Sequence, residues 1–435
     1  MTAQTLPLTT PADALRALRA RLAGSVYVPG DAEYAGKESY RGAPAFVVEA
    51  ATPAEVRSAL GVAREYGLPL TVQSTGHGTI VAPTGGLLLR TSRMARVLVD
   101  PDRRIARVGA GARWSEVIAA AEPFGLAPLS GDTPSVGVVG YTLGGGLSWL
   151  SRRYGFAADS LLRIDLVTAD GRYVTATEHR NPDLFWAVRG GGGNFGVVTS
   201  LEFRLYHVPE VYGGSAVFPI ERAAAALTFL AEHGEELPDA LSLSLVVARN
   251  AGEDGPGLIV RAVHADGADA GERALRPLLD IVGAPVSGGF RPMRYSEVSG
   301  IGGTPPRGFA MYDRLSPELV ERVVGSVTRP DSGVSALEIK HWGGAIAWPT
   351  DPAPGPVSHR DVPFVMKLDA SPHAVADLTR YATGHSYLNF LSDTTRTARA
   401  YTEDNYRRLR GVKAAYDPDN MFHRNHNIPP VLRAG

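Results

Sequence analysis

The sequence predicts an α+β protein of two units, closed by a distinctive polar C-terminal stretch. Three observations carry this: a β-α-β pattern over residues 46–73, a change of texture near Val208-Pro209, and the density of polar side chains after residue 416. A chain of 435 residues has room for such an arrangement and for a large core.

Residues 11–23 have the periodicity of a short amphipathic helix, and Val26 to Arg41 read as irregular. Phe46-Val47-Val48 reads as a strand, Thr52-Pro53 as the N-cap and first turn of a helix, and Gly67 as its stop. The strand beginning at Leu70 then runs into Gln73-Ser74-Thr75-Gly76-His77-Gly78. A glycine-containing loop at a strand end can turn backbone N–H groups and hydroxyls towards a phosphate. His77 is unexpected there, and by itself this segment favours an ordinary loop histidine bonded to a carbonyl over a functional one.

Short strands follow at 87–89, 97–99 and 105–108, with Asp100-Pro101-Asp102 turning the last two. A helix from Trp114 to Glu122 stops near Pro123. Gly131 to Gly146 is the most glycine-rich stretch of this half. Glycine is costly in backbone entropy, so close approach to a flat or elongated ligand is the expected reason. Ile164–Thr168 and Tyr173–Thr177 flank Asp170-Gly171 as a hairpin. Gly191, Gly193 and Gly196 satisfy G-x-G-x-x-G, but a helix precedes them and the strand Val197–Leu205 follows. That order is the reverse of a dinucleotide fingerprint and argues against an NAD site.

From about 206 to 385, strands (241–247, 258–264, 336–342, 362–368) and helices (221–233, 268–281, 316–327, 373–383) suggest a second α+β unit carrying an antiparallel sheet. Proline-rich Trp348 to Pro356 reads as a loop within it. A helix over about 402–415 then leads into Asp417-Pro418-Asp419-Asn420-Met421-Phe422 and a histidine- and asparagine-rich tail.

Composition bounds the chemistry. A net charge of −1 gives no reason to expect nucleic acid or an anionic membrane as partner. The absence of cysteine excludes disulfides, thiolate nucleophiles, iron–sulfur clusters and cysteine-ligated zinc. His423 and His426 lack further ligands at suitable spacing, so no metal is expected. Neither a membrane span nor a leader with a basic start and apolar core is visible, and a cytoplasmic chain is the expectation. Oligomeric state is not legible.

Four separated elements now coincide: the Gly76-His77-Gly78 loop, the Gly131–Gly146 stretch, the Gly190–Val198 stretch and the Asp-Pro-Asp-Asn-Met-Phe ending. Together they resemble the berberine bridge enzyme-like branch of the vanillyl-alcohol oxidase (PCMH-type) flavoproteins, over about residues 40–430. The resemblance implies a PCMH-type FAD domain of two α+β subdomains over residues 1–205, a substrate domain over 206–385, and a segment, 386–435, returning to the FAD domain. It implies an oxidase using FAD and O₂ on a small molecule. Gln73, Ser74, Thr75, Gly76 and Gly78 would hold the diphosphate, and His77 would bond covalently to the flavin 8α carbon.

Other cofactor contacts it implies are Thr133, Val136, Gly137, Gly140, Tyr141, Thr142, Gly144, Gly145, Gly146, Asp159, Gly196, Val197, Val198, Asn389, Asn425 and Asn427. Many relatives carry a second tether, a cysteine in G-x-C-P-T-V-G; Gly131-Asp132-Thr133-Pro134-Ser135-Val136-Gly137 has Thr133 there, so attachment should be single. Valine at Val136 accompanies oxidase behaviour in the family, although the side chain could equally be core. Thr79 and Tyr141 stand where plant members often have Tyr and His, which argues against a plant-type substrate.

Oxidation at carbon also needs a base. Tyr387-Leu388-Asn389-Phe390 keeps most of the family's Tyr-x-Asn-Tyr segment, which makes Tyr387 the leading candidate and Tyr141 the second. A phenol titrates near pH ~10, so a nearby cation or hydrogen-bond donors would be needed. Alternation on the strand 336–342 puts Glu338 and Lys340 on one face and His341 on the other. A charged face ordinarily meets solvent; these three are candidates for substrate lining if the sheet roofs the flavin. The expected reaction is removal of a hydride from an alcohol, hemiacetal or activated C–H group in secondary-metabolite tailoring, with H₂O₂ as by-product. The alternatives are a dehydrogenase of the same fold and a flavoprotein that binds a hydrophobic compound without turnover.

Overall fold

A computed structural model describes residues 11–22, 26–35, 42–252, 255–305, 307–351 and 353–431. Its first sheet has Phe46–Glu49 and Leu70–Gln73 parallel to either side of Leu87–Arg90, with the two-residue strand Val26–Tyr27 at one edge. That strand and the helix Ala32–Ala35 occupy part of the stretch expected to be irregular; the rest, residues 36–41, lies outside the described residues. The helix Pro53–Glu65 covers the sheet. Thr52 accepts from the Glu55 N–H, Pro53 fills the first turn, and Val56, Ala59, Leu60 and Ala63 form the buried stripe.

The second sheet is antiparallel in the order Val97–Asp100, Ile105–Gly109, Val197–Arg204, Leu161–Val167, Tyr173–Ala176. One hydrophobic core takes in both sheets and also Leu388, Leu391, Leu409, Phe422 and Ile428. The end of the chain therefore packs with its beginning.

Between them stands a seven-stranded antiparallel sheet: Ser287–Met293, Val211–Pro219, Gly255–His264, Leu241–Gly252, Val334–His341, Phe364–Ala370, Gly308–Tyr312. Helices Ala223–His233, Ala268–Val282, Pro317–Thr328 and Pro372–Thr379 pack their apolar sides into a second core on one face. The opposite face looks back at the first unit. Strands Val211–Pro219, Ser287–Met293 and Gly308–Tyr312 are absent from the sequence reading. Two of them contain Gly-Gly pairs, which read as breakers; in the fold a Cβ on Gly214 would collide with the Gly289 carbonyl, so the glycines let these strands approach.

The C-terminal motif has a structural explanation. Lys413, fully buried on the helix Glu403–Tyr416, donates to Asp417, to the Asn194 carbonyl (2.9 Å) and to the Phe422 carbonyl (3.1 Å). Asp417 accepts from the N–H groups of Met421 (2.8 Å) and Phe422 (2.9 Å), closing a turn in which Asn420 takes φ +54°. Asn194 then accepts from the Ile428 N–H and donates to the His426 carbonyl, stitching the tail to the Gly190–Gly196 stretch. Among the described residues no helix is long and apolar enough to cross a membrane.

Burial lowers the pKa of His341 to about 3 and of His359 and His426 to about 4. Unfolded, these imidazoles titrate near ~6.5, so below that pH the unfolded chain binds more protons than the folded one. Their contribution is intact above ~6.5 and is lost progressively as pH falls towards 4. The thermal unfolding midpoint should therefore stay level from pH 8 to 7 and decline between ~6.5 and 4; a midpoint unchanged down to pH 4.5 would contradict this.

Candidate active site

The strand Leu70–Gln73 ends in a loop whose shape two glycines set: Gly76 at φ +81° and Gly78 at φ +68° bracket an exposed His77. Thr79 donates to the Gly76 carbonyl (2.8 Å) and receives the Gln73 amide (3.0 Å), which braces the turn. Ser74 donates to the Ala110 carbonyl (2.8 Å), tying the loop to the second sheet, so its hydroxyl proton is engaged by the fold. Gln73 Oε1 is buried without a partner.

The Gly131–Gly146 stretch packs on this loop. A Cβ on Gly137 would stand 3.1 Å from Thr75 and 3.2 Å from Ser74. Within the stretch the helix Val138–Leu143, unforeseen from the sequence, carries Gly140 and Tyr141; Thr142 donates back to the Val138 carbonyl. Thr133 is exposed and Val136 half-buried.

The fold gives the glycines a further reason. A Cβ on Gly131 would strike the Tyr141 ring (2.9 Å), on Gly144 the Asn389 amide (2.8 Å), and on Gly145 the Tyr387 hydroxyl (2.7 Å); one on Gly146 would overlap Tyr141 and Ala157. Much of the glycine content thus admits the chain's own side chains. Asn389 clasps the stretch with both ends of its amide, donating to the Tyr141 carbonyl (3.0 Å) and accepting from the Gly146 N–H (3.0 Å). Gly196 is likewise explained by packing, since a Cβ there would meet Leu166 (2.6 Å).

Tyr387 is buried against Phe156, whose ring it stacks on at 5.3 Å, with Trp342 edge-on at 5.5 Å. The Arg360 guanidinium covers the other aromatic partner, 4.8 Å from the Phe156 centroid. Asp159 holds it through both oxygens (2.6 and 2.9 Å) and also accepts from the Phe156 N–H. Asp159, an expected cofactor contact, is therefore engaged by Arg360, the cation that a reactive phenol at Tyr387 calls for. Burial raises Tyr387 well above the ordinary phenol pKa; Arg360 opposes the rise and Asp159 adds to it. Tyr141 is raised in the same way, with Tyr387, Tyr295 and Asp132 adding to the effect of burial. Both resting phenols are protonated.

The face of the seven-stranded sheet forms the roof, and the charged side of Val334–His341 does not meet solvent. Glu338 is completely buried. It accepts from Ser244 (2.8 Å) and the Thr304 N–H (3.0 Å) and pairs with Lys340 (3.3 Å) and Lys367 (3.6 Å). Lys367 reaches across to Asp132 of the glycine stretch (3.3 Å). Although buried, the Glu338 carboxyl is held far below the usual carboxylate range by Lys340, Lys367 and Arg261. His341 departs from this group: it faces the other side, 2.7 Å from Arg152 and edge-on to Phe364. Asp132, Lys367, Arg261, Trp149 and Tyr295 were not singled out from sequence. Two carried a signal: Asp132 as a carboxylate in the glycine stretch, and Lys367 by alternation on the strand 362–368.

In the tail, His426 Nδ1 and Asn427 Oδ1 are buried without partners, whereas Asn425 is exposed. Val197 and Val198 are buried in the second sheet. No cluster able to hold a metal ion occurs among the described residues. Gln73 Oε1, Tyr141 Oη, Tyr387 Oη, His426 Nδ1 and Asn427 Oδ1 are all buried and unpartnered. Such orphans are rare unless something else satisfies them, and with the open histidine loop they fit a large polar cofactor such as FAD.

Comparison with known proteins agrees. The FAD binding domain family matches residues 44–177, and the berberine and berberine-like family matches residues 386–429. The chain is 30% identical to (R)-6-hydroxynicotine oxidase of Paenarthrobacter nicotinovorans over 425 residues, covering 89% of this chain and 91% of that one. The crystal structure of 6-hydroxy-D-nicotine oxidase from Arthrobacter nicotinovorans superposes with a TM-score of 0.81 at 28% identity, covering 98% and 99% of the two chains. A xylooligosaccharide oxidase from Myceliophthora thermophila shares the fold, with a TM-score of 0.82 at 24% identity and coverage of 98% and 100%.

The Asn389 clasp can be tested directly. Asn389→Leu strands the Tyr141 carbonyl and the Gly146 N–H, and should lower unfolding stability by about 1–3 kcal/mol. Denaturant titration reads this; a change under ~0.5 kcal/mol, the size of a neutral surface substitution, would show that the clasp is incidental.

Proposed function

This chain belongs to the berberine bridge enzyme-like branch of the vanillyl-alcohol oxidase flavoproteins and is an FAD-dependent oxidoreductase, and we propose that it is an oxidase whose flavin is attached once, through His77. It oxidises an alcohol, hemiacetal or activated C–H group of a small molecule, as in tailoring of secondary metabolites. The balance is a substrate CH–OH plus O₂ giving C=O plus H₂O₂. Bound FAD supplies the two-electron acceptor and passes the electrons to O₂. One observation carries the reading: the unpartnered buried atoms of Tyr141, Tyr387, His426 and Asn427 occur in the same fold as an exposed imidazole on a glycine-bracketed loop.

Each residue then has a task. The N–H groups of the loop from Gln73 to Gly78 take the diphosphate, as glycine loops at strand ends do. His77, exposed, offers a ring nitrogen for the covalent bond. Val136, half-buried and ending at its Cγ methyls, leaves more room for O₂ than a longer aliphatic would. Tyr387 accepts the substrate hydroxyl proton as the tyrosinate, after its own proton has passed to solvent; burial holds the resting phenol protonated, and the Arg360 charge over Phe156 opposes that effect and favours the ionised form. Glu338 cannot serve as the base, because donors surround both of its oxygens.

Two measurements test this. Denatured FAD-loaded protein should keep yellow, fluorescent flavin on the polypeptide, and His77→Ala should release it. An unlabelled wild-type band would refute covalent attachment. With a panel of secondary alcohols, cyclic amines and oligosaccharides on an oxygen electrode, Tyr387→Phe should lower kcat by ~10²-fold or more and remove the rise of rate with pH. Turnover that reduces the flavin but leaves O₂ untouched would make the protein a dehydrogenase.

A further inference from the structure

The charged rows on the roof do not balance. Arg261, Ser244 and Lys340 stand directly opposite one another on adjacent strands, and Glu338 and Lys367 form the next row on the same face. Three cations, Arg261, Lys340 and Lys367, thus face two carboxylates, Glu338 and Asp132. Lys367 lies between the two carboxylates, so the surplus falls at the other end of the rows, on Arg261 and Lys340.

Arg261 and the indole beneath Lys340 also have donors to spare. Arg261 is 3.9 Å from Glu338, yet its Nε and Nη1 are buried without a hydrogen-bond partner. Lys340 Nζ lies 4.0 Å from the Trp149 ring centroid, and Trp149, itself almost wholly buried, has an unpartnered Nε1. Arg261 and Trp149 therefore present unmatched N–H groups beside the Lys340 ammonium, whose carboxylate partner, Glu338, already has donors at both oxygens. Buried charge and buried donors without partners both cost free energy until an acceptor arrives. An ammonium ligand would add a fourth cation, and a neutral one would leave the surplus in place.

We propose that this row is an anion subsite, and that the substrate presents a carboxylate to Arg261, Lys340 and Trp149. The remainder of the molecule is flat and apolar, lying along Phe309, Phe390 and Tyr387, whose rings pack within 5.2–6.4 Å of one another. The proposal rests on the reading of the junction as the substrate site. The planar fork of an arginine suits a carboxylate better than a hydroxyl.

Benzoate, benzamide and benzylamine, which share a ring and differ in charge, test it without knowledge of the substrate. Each is titrated into FAD-loaded protein and followed by calorimetry and by the visible flavin spectrum. Benzoate should perturb the spectrum and bind about tenfold or more tighter than benzamide, the size of one charge-assisted hydrogen bond, with benzylamine weakest. Lys340→Met and Arg261→Met should each remove that preference while keeping the flavin content of the wild type, even where loss of a Glu338 partner lowers the unfolding midpoint. Benzoate that binds no better than benzamide, or variants that keep the preference, would overturn the proposal. So would benzoate binding seen by calorimetry with a silent flavin, because the anion would then lie elsewhere. A protein that takes up no FAD would instead defeat the oxidase reading, and calorimetry would still decide the charge preference.

Discussion

The side-chain amide of Asn389 is the joint on which the site depends. It spans more than two hundred residues of sequence to hold the Tyr141 carbonyl and the Gly146 N–H, one hydrogen bond to each. Two such bonds are worth only about 1–3 kcal/mol together, but they fix a register. Tyr387, two residues before Asn389, is pressed onto Gly145, and Tyr141 onto Gly131 and Gly146. Any side chain at those glycines would push one of the two phenols out of the junction. The glycine stretch is thus a mould for two tyrosines as well as a place where a cofactor can approach.

Charge completes what the amide begins. Lys367 sits on the inserted sheet and bonds to Asp132 on the other unit, while Glu338 draws in Lys340, Lys367 and Arg261. Burying these groups is expensive, and each is retained by partners on different strands, so no single one can be removed without leaving another bare. Arg360 and Asp159 make a second such contact beside Tyr387. These pairs align the roof over the glycine stretch more sharply than apolar packing alone would, because an ion pair loses its partner when strands shift.

The C-terminal segment shows how a family signature can be structural. Its Asp-Pro-Asp-Asn-Met-Phe run resembles the flavoprotein ending, yet Asp417 works as a turn acceptor and as the counter-charge of buried Lys413. That turn leads into His426 and Asn427, both with buried unpartnered atoms, and Asn194 of the Gly190–Gly196 stretch holds them in place. The motif marks the site because it builds the approach to it.

Local pattern was enough to determine most strands and helices, the exposed loop carrying His77, the exclusion of a thiol tether that follows from having no cysteine, and the pairing of Tyr387 with Asn389 in one segment. Those features depend on neighbours in the chain: period, caps, turn residues and short motifs. Val211–Pro219 and Ser287–Met293 escaped because their glycines serve contact between strands, which sequence spacing does not express. Only the folded chain decided that Glu338 is buried among cations, that His341 meets Arg152, that Asp159 is taken by Arg360, and that Asp132, Arg261, Lys367 and Trp149 meet at one wall. Each of those depends on which strands lie side by side, and a side chain's partners across a sheet can lie a hundred residues or more away in sequence.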